Sequence, residues 1–399
     1  MRHITERIAQ ALFTLSGSVT SLAILLIIIF LFKEGFGLFR SSQIEKGYVL
    51  AVNSSNPVNS LDARQIKEIF DYAYTNWKEV GGDDAEIVPF RFDEIFSLYT
   101  DTELGEDYAL LPQKLGETIA ADPNILAFLP ERYAPADNAS VRLLPIQTVS
   151  PLSFFLGAEW MPVSTPAAQF GVFPLIMGTL WVSIFAILIA LPLGLGVAVY
   201  LSELADDRMR KMLKPAIELL AGIPSVVYGF FGLVVLVPLI QRTLGLPVGE
   251  TALAGSLILA IMALPTIITI AEDAMRATPK AMREASLALG ATHWQTIYRV
   301  IVPYASSGIM AAVVLGIGRA TGETMAVLMV TGNAAVMPKS LFQSVRTIPA
   351  TIAAELGEAP AGGTHYQSLF MLGCVLFVIT MIVSISAELI AKKQLNKGL

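Results

Sequence analysis

Arg319 and Glu323 are the side chains best suited to chemistry in this sequence. They stand four residues apart inside Gly308–Val330, a run otherwise built of apolar and small residues. On a helix that spacing puts both on one face. Ionisable groups at membrane depth are costly and face a cavity or a partner. An arginine there can fork two hydrogen bonds to an oxyanion. A carboxylate beside it can hold the guanidinium until an anion arrives, or repel the anion so that it does not lodge. Thr321, Thr324 and Ser225 offer further hydroxyl contacts. The alternative is a structural pair that locks helix packing. No catalytic, metal or nucleic-acid constellation accompanies these residues. His3, His293 and His365 are scattered, and Cys374 is a lone thiol in an apolar run. No G-x-x-x-x-G-K-[ST] run is present, so a nucleotide-hydrolysing loop is not expected in this chain.

A second pattern runs from Thr278 to Pro303. Thr278 is placed to cap a helix, with Pro279 at its first position. Gly290 can end that helix in a left-handed turn. Thr292 and Gln295 make a capping-box pattern for a second short helix running toward Pro303. The spacing predicts helix, sharp turn, helix at a membrane surface.

This segment resembles the EAA loop of ABC importer permeases, E-A-A-x3-G-x9-I-x-L-P. Glu284, Ala285, Gly290 and Pro303 fall on that pattern; Ser286 replaces the second alanine, and Val300 and Val302 replace Ile and Leu. The resemblance implies that Arg283, Glu284, Ala285, Ser286, Gly290 and Pro303 meet a separate ATPase subunit. ATP and Mg would bind on that partner, with no cofactor in this chain. A generic amphipathic surface helix is the alternative.

Ile217–Gly229, Gly318–Val327, Leu191–Gly196 and Leu201–Leu204 are similar to stretches of the phosphate-transport permeases of the PstC family. The likeness is close from Phe173 onward and loose over the first helix; the related PstA family is the main source of confusion. It implies a type I ABC importer permease, not itself an enzyme, moving inorganic phosphate by alternating access, with Arg319 and Glu323 on the path. The implied partners are a PstA-like second permease, PstB-like ATPase subunits and a PstS-like extracytoplasmic binding protein. Import of another oxyanion (molybdate, sulfate or a phosphonate) is the rival expectation, and a membrane phosphate-sensing or signalling platform the second.

The elements that must position these residues follow from hydropathy. Of 399 residues, 54% are hydrophobic and 15% charged, against roughly 25% charged in soluble domains. The bilayer is therefore the main solvent. Leu12–Phe32 is long enough to span and too long for a signal-peptide core, so it is expected to remain as an anchor. Phe173–Tyr200, Ala216–Ile240, Leu253–Ile270, Gly308–Val330 and Leu369–Ile390 bring the expected spans to six. Pro192 with Gly194 and Gly196, Gly222-Ile223-Pro224, and Pro265 are candidate helix breaks; for each one alone the favoured alternative is the routine enrichment of glycine and proline in membrane helices. Arg2 and Arg7; Arg208, Arg210, Lys211 and Lys214; Arg276, Lys280, Arg283 and Arg299; and Lys392, Lys393 and Lys397 mark alternate segments as basic. The positive-inside rule then puts both termini in the cytoplasm. The expected fold is mainly α, a polytopic protein of a bacterial or archaeal cytoplasmic (inner) membrane, with an inserted α/β extracytoplasmic lobe. Residues 1–40 form the tail and anchor, 41–165 the lobe, and 166–399 the permease core.

The lobe differs in character. From Glu45 to Ser150 there are 18 acidic and 8 basic side chains, a net of −10, which leaves +4 for the rest of a chain with net charge −6. Ala51–Leu61 opens as a strand, Asp62–Phe70 has helical spacing, and Ile87–Phe90, Ile125–Leu129 and Val141–Ile146 are short strands. The order, with Asn56-Pro57-Val58 and Thr75–Gly82, resembles one lobe of a phosphate-binding protein. In such proteins the next strand leads into a glycine-rich anion cradle. Here the stretch is Arg91–Ser97, with Asp93 and Glu94 and no glycine. The expectation is a lobe that has lost its ligand site and docks a partner, or serves as a spacer.

Overall fold

The computed structural model describes residues 2–135, 138–145 and 147–395; Ile146 and Lys397 lie outside the described residues. The principal elements are α1 (Arg2–Gly37), β1 (Tyr48–Asn53), α2 (Ala63–Phe70), β2 (Val88–Arg91), α3 (Leu111–Ala121), β3 (Ile125–Pro130), β4 (Val141–Leu144), α4 (Pro151–Leu156), β5 (Trp160–Met161) and β6 (Gln169–Phe170). They continue with α5 (Phe173–Val199), α6 (Asp207–Ala221), α7 (Ser225–Phe231), α8 (Val237–Leu244), α9 (Ala252–Arg276) and α10 (Lys280–Ala288). The last are α11 (His293–Thr296), α12 (Ser306–Gly322), α13 (Met325–Val330), α14 (Ile348–Glu355) and α15 (Thr364–Leu395).

These elements form two compact units. One comprises Phe36–Val172 with Pro360–Ser368, wider than the 41–165 span expected for the lobe. Its extra length is held by side chains the hydropathy pattern does not single out. Phe39 meets Phe154 edge-on at 5.9 Å, and Trp160 of β5 meets Phe170 of β6 at 6.0 Å. The four-stranded sheet has the order β2-β3-β1-β4, with β1 antiparallel to β3 and β4, and β2 parallel to β3. Alternate residues of a strand face opposite sides, yet nearly every β1 and β3 residue is buried. Leu50, Val52 and Leu126 join one core with Ile66, Ile69 and Trp77; Val49, Ala51 and Leu129 join another with Leu111, Leu115 and Ile119. The sheet is thus covered on both faces. Asp62 and Gln65 close a full capping box at the start of α2. Trp77 is buried and its indole N–H donates to Asn124 O at 3.2 Å, while Gly81 turns the chain with φ 86°.

The second unit takes in Phe173–Ala359 with the segments ending at Gly35 and beginning at Leu369. Among the described residues, five helices are long and apolar enough to cross a membrane: Gln10–Arg40, Phe173–Leu204, Ser225–Leu244, Ala252–Arg276 and Thr364–Leu389. His293–Tyr304 and Ser306–Gly322, bent by 69° at a short break, pass the same test only when taken together, which makes six if the pair is one broken span and five if it is a re-entrant loop. Helix α9 is the hub, buried along most of its length. Small residues let its neighbours approach closely. A Cβ on Gly194 of α5 would lie 2.8 Å from Ile267, and one on Gly316 of α12 2.9 Å from the same side chain. Elsewhere in this unit α1 meets α15, where Phe30 and Phe370 pack edge-on at 5.5 Å.

Two of the three candidate helix breaks do not occur, and two of the expected spans have other bounds. Helix α5 runs unbroken through Pro192 and α9 through Pro265; a membrane helix tolerates proline where neighbours satisfy the freed carbonyl. Gly222-Ile223-Pro224 does break the chain, so Ala216–Ala221 belongs to the charged amphipathic α6 and the third span starts at Ser225. The expected Gly308–Val330 helix is also split, with consequences for its charged pair.

Candidate functional site

Arg319 lies in the last turn of α12 and Gly322 ends that helix. Glu323 follows in extended backbone (φ −71°, ψ 133°), and α13 begins at Met325. The i,i+4 relation expected for Arg319 and Glu323 therefore does not exist. The Glu323 carboxylate instead accepts a long, 3.5 Å hydrogen bond from Ala326 N at the start of α13. A short polar side chain at a helix start can satisfy an otherwise orphaned N–H. No carboxylate pairs with Arg319 among the described residues, and the side chain is half-buried. A half-buried guanidinium without an acid can offer its donors to an anion.

The hydroxyl candidates divide. Thr321 is buried and donates to Ile317 O at 2.9 Å, so it is turned into its own helix. Thr324 donates to Gly322 O at 3.3 Å, within the break itself. Ser225 is half-buried and opens α7. Helix α7 packs on α13, where a Cβ on Gly229 would come within 3.0 Å of Ala326 Cα. Tyr228 of α7 shares a core with Ala320, Ala326 and Val327, and its hydroxyl donates to Leu220 O at 2.8 Å. Arg319 is in electrostatic reach of that hydroxyl. Two further ionisable residues of this unit escape the sequence patterns. Arg346 and Glu355 form an ion pair at 2.9 Å, both largely buried. Ile348 N donates to Thr179 Oγ1 at 2.9 Å, which ties the start of α14 to α5. Their one sequence signal is charge in a charge-poor stretch.

The 278–303 loop has the predicted outline. Gly290 turns it with φ 84°, and Thr292 and Gln295 form the capping box. Thr278 does not cap: its buried hydroxyl has no hydrogen-bond partner, and Pro279 stands at the helix start. Glu284, Ala285, Gly290 and Pro303 are exposed, as are Leu289 and Trp294, which the motif does not mark. Arg283 and Ser286 turn inward. Arg283 donates to Met275 O at 2.8 Å and pairs with Glu203 at 3.0 Å; Ser286 and Thr296 share a hydroxyl hydrogen bond of 3.0 Å. Nearby, buried Glu272 on α9 joins Lys214 of α6 at 3.1 Å and Arg276 at 3.4 Å. Burial alone would lower the Lys214 pKa, but its hydrogen bonds to Glu272 and Asp273 and their charges outweigh that, so it stands above the ordinary lysine value.

In the sheet-containing unit, β2 ends at Arg91 and a 3-10 turn, Phe92–Glu94, follows. The Glu94 carboxylate accepts from Arg91 N at 3.1 Å. The chain's own acid thus occupies a backbone donor at the end of β2.

A family model described as "Binding-protein-dependent transport system inner membrane component" matches residues 190–396. The chain belongs to that family: it is a multi-pass inner-membrane component of a binding-protein-dependent transport system. Among curated relatives, the probable ABC transporter permease protein YqgH of Bacillus subtilis is 45% identical over 59% of this chain and 76% of its own. The phosphate transport system permease protein PstC of Mesorhizobium japonicum is 42% identical over 58% of this chain and 75% of its own. Among solved structures, the inward-facing MetNI methionine ABC transporter aligns at 20% identity and TM-score 0.43, covering 56% of this chain and 94% of that one.

Proposed function

We propose that this chain is the permease subunit of a phosphate importer and that Arg319 contacts the anion on its path. The observation that carries the substrate class is the half-buried Arg319 guanidinium, with no carboxylate partner among the described residues, at the end of α12. Relatives named as phosphate transport permeases support phosphate within that class. The basic segments 208–214 and 276–299 support a cytoplasmic position for them and for both termini. The exposed face of the 278–303 loop then meets PstB-like ATPase subunits, which hold ATP and Mg. A PstA-like permease completes the pathway. The acidic outer unit, with Glu94 on its own backbone donor, receives a PstS-like binding protein rather than phosphate.

The test is uptake of labelled phosphate in cells lacking their own permease, supplied with this chain and its partner subunits. Uptake competed by arsenate but not by sulfate or molybdate is expected. Uptake of a different oxyanion, or none from an assembled complex, would overturn the phosphate assignment.

A further inference from the structure

We infer that Arg283 and Glu203 form the tether through which the 278–303 loop moves the central helices, an inference that rests on the permease assignment above. Helix α5 ends in a π-helical turn, Tyr200–Leu204, that carries Glu203 with its side chain only 4% exposed. Arg283 reaches it from α10 at 3.0 Å, and the same guanidinium donates to Met275 O near the end of α9 at 2.8 Å. One side chain of the loop therefore holds the ends of α5 and α9. Those ends are already joined, since Ser202 Oγ lies 3.5 Å from Met275 Sδ. Arg210 clamps the same turn from α6, donating to Leu201 O at 2.7 Å and 2.9 Å. The Ser286–Thr296 hydrogen bond makes the two halves of the loop move together.

The pair is a poor device for stability. Glu203 Oε1 and Arg283 Nε are buried without hydrogen bonds, so the contact is an ion pair and not a satisfied fork. Buried polar atoms left unpaired are costly, and apolar replacement of such pairs is often neutral or stabilising. What the pair supplies is attachment at a defined point. On the outward side of α10, Glu284, Ala285 and Leu289 are free to meet the ATPase. Displacement of that face is carried through Arg283 to the turn after α5 and to α9, which packs on α12 and hence on the helix of Arg319. Arg283 and Glu203 are positioning residues and touch no substrate.

The assembled transporter in proteoliposomes tests this by measuring ATP hydrolysis and phosphate uptake separately. Arg283→Met and Glu203→Gln are expected to cut uptake at least tenfold while hydrolysis stays within about twofold of wild type. The reversal Glu203→Arg with Arg283→Glu should recover part of the uptake. Hydrolysis and uptake falling in equal proportion in assembled complexes would overturn the tether, as would unchanged uptake in both single variants. If a single variant fails to assemble, Arg283→Lys decides. It keeps a charge opposite Glu203 but puts a shorter point-charge ammonium where one guanidinium nitrogen, Nη2, serves both Glu203 and Met275 O, so it should assemble and give a raised ratio of ATP hydrolysed to phosphate moved; a normal ratio overturns the proposal. Absence of phosphate uptake by the wild-type complex would count against the substrate assignment, and the same ratio would then be read with the oxyanion it does move.

Discussion

Lys214 of α6 and Glu272 of α9 form an ion pair at 3.1 Å in which the carboxylate is 1% exposed and the lysine 28%. Removing one partner of a buried pair strands the other in a poorly solvated place. Lys214→Met is expected to destabilise the protein by about 1–3 kcal/mol, below the ~3–5 kcal/mol of a fully buried pair, because Arg276 stays and water reaches the lysine. The Lys214 pKa is raised in the folded protein, above 10.5. Its contribution is therefore fully present below that value and is lost only as pH rises through the folded pKa. Thermal unfolding in detergent should show a constant difference between variant and wild type from about pH 6 to 9, closing only in strong alkali. A difference that vanished near neutrality would contradict the assignment.

Arg319→Ala should abolish uptake without loss of assembly, since no acid among the described residues is left unpaired by its removal. Arg319→Lys keeps a charge without the fork and should transport weakly. Co-purification with the partner subunits, beside labelled uptake, separates the two effects. Glu323→Gln keeps an acceptor for Ala326 N and should assemble normally.

Two glycines are needed for different reasons. Gly290 has φ 84° and open space around a Cβ, so Gly290→Ala strains only the turn, by about 1 kcal/mol. Gly308 has an ordinary φ, but a Cβ there would collide with the Cβ of Ala274. Gly308→Ala should force the bent pair away from α9 and cost about 1–3 kcal/mol. Thermal unfolding should rank Gly308→Ala as the more damaging. ATP hydrolysis stimulated by the complex should rank Gly290→Ala as a defect out of proportion to its stability.

The sheet-containing unit should not bind phosphate. Titration of the purified chain carrying Arg319→Ala, which removes the contact proposed for the pathway, should show no micromolar phosphate site. Micromolar binding in that variant would place a ligand in the lobe despite Glu94.

Much of the architecture was legible in short segments. Leu12–Phe32 and Phe173–Tyr200 declare membrane helices because transfer into lipid depends on the apolar content of the segment itself. Gly290, Thr292 and Gln295 declare a turn and a cap because their hydrogen bonds close within a few residues. The strands around Ala51, Phe90 and Leu126 showed for the same reason, as apolar runs bounded by turns. Continuity through Pro192 and Pro265 was decided by helix packing around α9, which no local pattern contains. So was the break at Glu323, where the 3.6-residue period pairs Arg319 with a residue that the fold assigns to the next helix. Arg283 belongs to a motif that the sequence displays, yet its inward turn depends on Glu203, eighty positions earlier. Hydropathy and caps are properties of a segment. The partners of a buried charge depend on which distant helices meet, and only the tertiary structure decides that.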